Sequence, residues 1–229
     1  MDKLTLITKI EAQAGRAIEH TYRALEAFPW GERRAYAHWL AQSYYYVSHT
    51  TRLLALAAGR LGPKESYMHG QFVGHLAEER GHEKLCVNDL KALGFKPDDF
   101  RELPQTSCLY YSIYYLIEHT HASSILGYAM VLEGVSAAKG DMLVKMLDDL
   151  YGKPATGFLR LHAHVDKEHT AGNRPMLEAC TVTQLETISH AVSLVEAQYE
   201  SMLNAIVADL KVLPLSERGQ ERGSFKKAA

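Results

Sequence analysis

The segment Leu161-His-Ala-His-Val-Asp-Lys-Glu-His-Thr170 places His162, Asp166 and His169 at i, i+4 and i+7. At about 100° per residue the two later side chains fall within roughly 40° of the first, so all three leave one face of a helix and His164 does not. Two imidazoles and a carboxylate on one face suit a borderline divalent metal such as iron, manganese or zinc. The plain alternative is a polar helix face that happens to be rich in histidine, so the rest of the chain has to supply partners. Upstream, His75-Leu-Ala-Glu-Glu-Arg-Gly-His-Glu83 sets Glu79 three residues before His82. Glu-x-x-His projects a carboxylate and an imidazole from adjacent turns, as in bundle proteins that hold two metal ions in their interior. Glu78, at i−4 from His82, competes with Glu79 for that role. Glu133 ends the apolar run Gly127-Tyr-Ala-Met-Val-Leu, where a carboxylate is rarely buried unless paired or bound to a cation. Glu79, His82, Glu133, His162, Asp166 and His169 together offer three imidazoles and three carboxylates without a thiolate. Such a set suits two iron or manganese ions better than one structural zinc.

These residues need elements to carry them. Apolar residues recur at helical spacing from Leu4 to Ala27, and the spacing predicts further helices at about 31–59, 65–93, 107–134, 141–151, 155–171 and 183–210. Phe28-Pro-Trp-Gly31, Gly62-Pro63, Gly94 and Gly172-Asn-Arg-Pro175 punctuate them, and Lys96 to Pro104 reads as a surface loop. No convincing period-2 stretch, repeat or low-complexity block appears. The expectation is an all-α, single-domain bundle of about seven helices over residues 1–214, followed by a polar, disordered tail over 215–229.

Composition narrows the function classes. A chain of 229 residues, 47% hydrophobic and 23% charged, suits one ordinary globular core. The net charge of −2 gives no reason to expect a nucleic acid or an acidic membrane as partner. Cys86, Cys108 and Cys180 are odd in number and form no CxxC, which argues for a reducing interior rather than a disulfide framework. No signal peptide or membrane-length apolar run is present, so a cytoplasmic protein is expected.

The His-x3-Asp-x2-His spacing, the Glu that ends Gly-Tyr-Ala-Met-Val-Leu-Glu-Gly and the upstream Glu-Glu-x-Gly-His segment resemble the haem-oxygenase-like diiron oxidases and oxygenases. That family of iron-containing redox enzymes lies within the TenA, PqqC and haem oxygenase fold group. The resemblance covers about Ala35 to Thr170 and rests most firmly on His162, Asp166 and His169. It implies a haem-oxygenase-like fold, two Fe(II) ions with dioxygen as co-substrate, and oxidation of a small amino- or carboxylate-bearing metabolite. It also implies a homodimer and an external electron donor. One departure is visible: many members carry a carboxylate at the position seven before the upstream histidine, and here that position is His75. Two sister readings fit less well. A haem protein could use His20 as proximal ligand, but the distal helix should be glycine-rich and instead carries Tyr128, Met130 and Glu133. A TenA-like thiaminase would need a cysteine between Gly127 and Glu133, where none stands. Two rivals stay open: a metal-independent enzyme using the same residues as acids and bases, and a non-catalytic iron-binding protein.

Tyr44, Tyr45, Tyr46, Tyr110, Tyr111, Tyr114 and Tyr115 form two clusters that suit core packing first and an aromatic pocket or redox-active phenol second. His38, His49, His119 and His121 read as hydrogen-bonded core or surface histidines, and Arg52 and Arg160 as candidates to pair with a substrate carboxylate.

Overall fold

The computed structural model describes residues 2–212, all of whose regular elements are helical. The tail expected over 215–229 lies outside them. Nine α-helical segments are present among the described residues: α1 (Lys3–Glu26), α2 (Arg33–Arg60), α3 (Ser66–Glu79), α4 (Glu83–Ala92), α5 (Pro104–His119), α6 (Ser124–Tyr151), α7 (Gly157–Ala171), α8 (Asn173–Ala179) and α9 (Val182–Val212). Taking α3 with α4 and α7 with α8, each pair parted by a single turn, leaves seven. No helix in the described residues is long and apolar enough to cross a membrane.

Periodicity converts directly into burial. Along α9 the stripe Leu185, Ile188, Val192, Val195, Tyr199, Leu203 and Ile206 is buried throughout, each large aliphatic member stabilising the fold by about 1.5–3 kcal/mol. The centre of the bundle is α6, which packs on α1, α5, α7 and α9, while α2 gathers α3, α4 and α5.

Several boundaries differ from expectation. Gly134 and Gly140 do not stop a helix, and α6 runs unbroken through both to Tyr151. Their missing side chains make room for neighbours: a Cβ on Gly134 would lie 2.4 Å from Ile18 Cδ1, and one on Gly140 would lie 2.7 Å from Ala163 Cβ. The break expected there falls earlier, at Thr120 to Ser123. There the Thr120 hydroxyl donates to the Leu116 carbonyl at 2.6 Å, and the Ser123 N–H donates to His121 Nδ1 at 3.0 Å. Beyond Gly172, where the helix pattern was expected to end, α8 adds two more turns with Pro175 in its first turn, a position that needs no N–H donor.

His38 is the buried histidine of this core. It stacks on Phe100 with ring centroids 5.0 Å apart, its Nδ1 lies 3.7 Å from Asp209 on α9, and Arg34 stands one turn before it on α2. Burial, aided by Arg34 and opposed by Asp209, lowers its pKa to about 4. The imidazole is therefore neutral in the folded protein at a pH where the unfolded chain already binds a proton. Stability is undiminished above about pH 6.5 and falls by about 3 kcal/mol as the pH drops from 6.5 to 4. Denaturant melts of His38→Gln should show that slope flattened, and an unchanged slope would refute the assignment.

Candidate metal centre

Four helices bring the chemistry together. Glu133 comes from the middle of α6, and His162, Asp166 and His169 from successive turns of α7. His75 and Glu79 lie one turn apart on α3, and His82 opens α4. The sequence pattern predicts one helix across 65–93, but the chain turns at Arg80 to His82, where Gly81 adopts φ +96°, a region that favours glycine. That turn leaves His82 Nδ1 3.2 Å from Glu79 Oε2.

The start of α7 is held by α4. Asp89 Oδ1 accepts from the Gly157 N–H at 2.9 Å and Oδ2 from the Phe158 N–H at 2.8 Å, so one carboxylate satisfies two orphan donors of the helix that carries three candidate ligands. Burial nevertheless raises its pKa to about 6. Asp89→Ala should cost about 2 kcal/mol, as loss of a strong N-cap does. The variant should also weaken metal uptake, which thermal melts with and without Fe(II) would read. A variant as stable as the parent would contradict this role.

The donors fall into two groups. His75, Glu133 and His169 each offer one atom, and those atoms lie within 4.8 Å of one another; Glu79, His82 and His162 do the same. The His75 and His169 rings are 4.5 Å apart between centroids, and those of His82 and His162 are 5.0 Å apart. His75 Nε2 also reaches Glu133 Oε1 at 3.2 Å and Glu79 Oε1 at 3.7 Å, which brings the two groups side by side. Asp166 stands outside both triplets, its Oδ1 3.3 Å from His169 Nδ1. All six residues expected from the sequence converge here, and His75 joins them. His75 registers in the sequence only as a departure from the family pattern, yet a signal was present. His75-x3-Glu79-x2-His82 repeats the spacing of His162-x3-Asp166-x2-His169, and the first histidine of each motif meets the last of the other.

Outer contacts aim the rings. His162 Nδ1 donates to the Phe158 carbonyl at 2.8 Å, which leaves Nε2 as the donor atom. Glu78 is exposed and its Oε2 lies 2.9 Å from His169 Nε2, so Glu78 backs His169 from outside while the buried Glu79 faces inward. Such partners fix the tautomer and orientation of a metal-binding imidazole. The charges are strongly coupled. Burial disfavours charge on His75, but the Glu133 and Glu79 carboxylates outweigh it and raise the pKa to about 10. For Glu79, His75 and His82 outweigh burial and hold the carboxyl well below its usual range. Burial raises Asp166, and Asp166 in turn raises His169.

The atoms turned inward lie close to carboxylates but lack well-formed hydrogen bonds. His75 Nε2, His82 Nδ1, His169 Nδ1 and Asp166 Oδ1 are buried without a partner in hydrogen-bonding geometry. An unsatisfied buried polar atom costs about 1–3 kcal/mol, and here four such atoms cluster. A cation in each donor group would give His75, His169 and His82 a partner. Four imidazoles and three carboxylates without a thiolate fit iron or manganese.

Residues 37–201 match the family described as iron-containing redox enzyme. The chain belongs to that family. No curated protein matches it. Among solved structures it is similar to a domain of unknown function with a haem oxygenase-like fold from Shewanella denitrificans, at 19% identity and a TM-score of 0.77, over 98% of this chain and 99% of that one. A TenA homologue from Pseudomonas syringae pv. tomato aligns at 13% identity and a TM-score of 0.70, over 91% of this chain and 96% of that one. A CADD-like protein of unknown function from Nostoc punctiforme aligns at 17% identity and a TM-score of 0.70, over 91% and 98%. These likenesses establish the haem-oxygenase-like fold that the motifs imply.

In this member of the family the centre forms a wall between two spaces. On the inner side is a cavity of about 90 Å³ whose polar wall is Glu79, Glu133, His162 and Asp166 and whose other walls include Leu25, Trp39, Tyr46, Leu143, Phe158 and Tyr199. On the outer side a wider cleft is lined by His75, Glu78, His82, Glu133 and His169. The tyrosine clusters divide: Tyr46 lines the inner cavity, whereas Tyr111 and Tyr115 are exposed. Arg52 and Arg160 line neither space. Arg160 pairs with Asp148 at 2.6 Å and Arg52 donates to the Ser48 carbonyl, each held by its own neighbours away from the centre. His20 is exposed, bonded to Glu196 at 2.9 Å, and lines neither space.

Proposed function

We propose that this chain is a non-haem diiron oxidase or oxygenase that uses dioxygen to oxidise a small metabolite. The observation that carries the reading is the pair of three-residue donor groups, in which His75 Nε2, His82 Nδ1 and His169 Nδ1 are buried without hydrogen bonds. His75, Glu133 and His169 would hold one Fe(II) and Glu79, His82 and His162 the other, with Asp166 beside His169 as a seventh donor. The iron pair supplies binding and reduction of dioxygen. The chain's own residues supply the rest. The Phe158 carbonyl keeps a proton on His162 Nδ1, the Glu78 carboxylate does so on His169 Nε2, and the aromatic walls of the inner cavity keep water from the reacting face. Family membership supports iron and redox chemistry. An external electron donor and a homodimer belong to this reading as well.

Anaerobic Fe(II) titration with metal analysis, followed by an oxygen pulse, tests it. About two irons per chain are expected, one for each donor group, with oxygen uptake that candidate substrates accelerate. Failure to take up iron would favour the second reading, a metal-independent enzyme. The likeness to a TenA homologue and the charged His75–Glu79–Glu133 cluster, already suited to moving protons, support that alternative. Iron uptake with no oxygen consumption under any substrate would leave an iron-binding protein.

A further inference from the structure

The two spaces beside the donors differ in what they can pass, and that difference assigns a route to the metal, an inference that rests on the metal centre proposed above. The inner cavity holds about 90 Å³, and beyond its polar wall it is bounded by Leu25, Trp39, Leu143 and Phe158. A divalent ion entering that way would shed its water among carbon atoms, where a charge without a partner is strongly disfavoured. The outer cleft is wider, at about 660 Å³, and carries His75, Glu78, His82, Glu133, Glu168 and His169. One complete donor group, His75 with Glu133 and His169, faces it, and so does His82 of the other group.

The charge pattern points the same way. Glu78 and Glu168 are exposed, and Glu78 Oε2 lies 2.9 Å from His169 Nε2, so carboxylates lead from solvent to the donors. No lysine or arginine among the described residues lines either space. Around the metal-free centre stand the five carboxylates of Glu78, Glu79, Glu133, Asp166 and Glu168 against the four imidazoles of His75, His82, His162 and His169. A cleft whose walls carry such an excess of acidic groups focuses a field that draws cations inward. We propose that Fe(II) enters and leaves the centre through the outer cleft, drawn in by Glu78 and Glu168, and that the inner cavity is not a route for the metal.

Gly70 and Gly74 of α3 supply a steric test. Both line the cleft, and a Cβ at either position meets nothing within 4 Å. A phenylalanine at either one narrows the cleft without crowding the helix, and replacing a glycine inside a helix does not weaken it. Stopped-flow mixing of anaerobic metal-free protein with excess Co(II), whose visible bands report imidazole and carboxylate ligation, measures the uptake rate. Metal analysis then gives the final content. Gly74→Phe and Gly70→Phe should each slow uptake at least about tenfold, because entry then waits for the cleft to open. Glu168→Gln, which removes a cleft carboxylate that is not a donor, should slow it about threefold at low ionic strength and by less in about 1 M salt. Leu143→Phe, which fills the inner cavity, should load at the parent's rate, and all four variants should reach the parent's final content. Uptake slowed by Leu143→Phe and untouched by both glycine variants would place the route in the inner cavity and overturn the proposal. A Glu168→Gln protein that matches the parent at every salt concentration would overturn the electrostatic capture. A parent that takes up no Co(II) fails at the centre itself, and the final metal content separates that failure from a misassigned route.

Discussion

His162→Ala is expected to bind about one iron per chain instead of two and to lose substrate-dependent oxygen consumption. The imidazole is one of three donors in its group, beside Glu79 and His82. Its Nδ1 is committed to the Phe158 carbonyl at 2.8 Å, so no second orientation of the ring replaces it. Losing an outer-shell partner of a metal ligand already costs 10–100-fold in affinity, and loss of the ligand itself should cost at least about 100-fold. His169→Ala and His75→Ala should empty the other group by the same measure, and His162→Ala with His169→Ala should empty both. The His75 variant is the most informative of these. A normal iron content in His75→Ala would return the centre to the six residues that the sequence motifs indicate. A normal content in His162→Ala would refute the centre.

Gly140→Leu should unfold the protein more easily by about 3 kcal/mol and lower its iron affinity as well. Even a lone Cβ at this position would sit 2.7 Å from Ala163 Cβ and 3.1 Å from Ala163 Cα. The second of these is backbone, so side-chain rotation gives little relief, and overpacking of this kind costs about 1–3 kcal/mol or more. Ala163 follows His162 directly in α7, so a helix pushed outward carries His162 and Asp166 away from the α3, α4 and α6 donors. Gly140→Ala should show a smaller loss, and adding Ala163→Gly should recover part of it, because the two positions share one contact. Denaturant melts of the four proteins that make up that cycle decide the point. Additive effects would mean that the contact is not the cause, and a stable Gly140→Leu that binds iron normally would contradict the packing account.

Gly140 also shows where sequence reasoning loses its grip. In a linear reading the apolar run that closes at Gly134 marks a helix end, and a second helix is expected from about residue 141. Both glycines lie inside α6, and what they serve is the close approach of Ile18 and Ala163. The reverse holds at Gly81, which lies inside the span expected as one helix yet takes φ +96° and turns the chain so that His82 meets Glu79. Nothing local separates the two cases. The difference is whether a neighbouring helix occupies the space a side chain would need.

The ligand motifs were more legible. His162, Asp166 and His169 share a face through helix geometry alone, and Glu79 with His82 is a short-range pair that survives even the break between them. The choice between Glu78 and Glu79 was not local. Tertiary packing buries Glu79 and leaves Glu78 exposed, where it reaches His169. Arg52 and Arg160 carried the right charge for a substrate carboxylate, but Ser48 and Asp148 engage them elsewhere.

By itself, then, the sequence determined the helical class and most of the residues that converge at the candidate centre, because each is written in spacings of three, four and seven residues that helix geometry converts directly into faces. Only the tertiary structure decided that His75 belongs with them, that the donors part into two groups, and that no cation lines the inner cavity. Those outcomes depend on which faces meet across α3, α4, α6 and α7, and long-range packing, not local periodicity, sets those meetings.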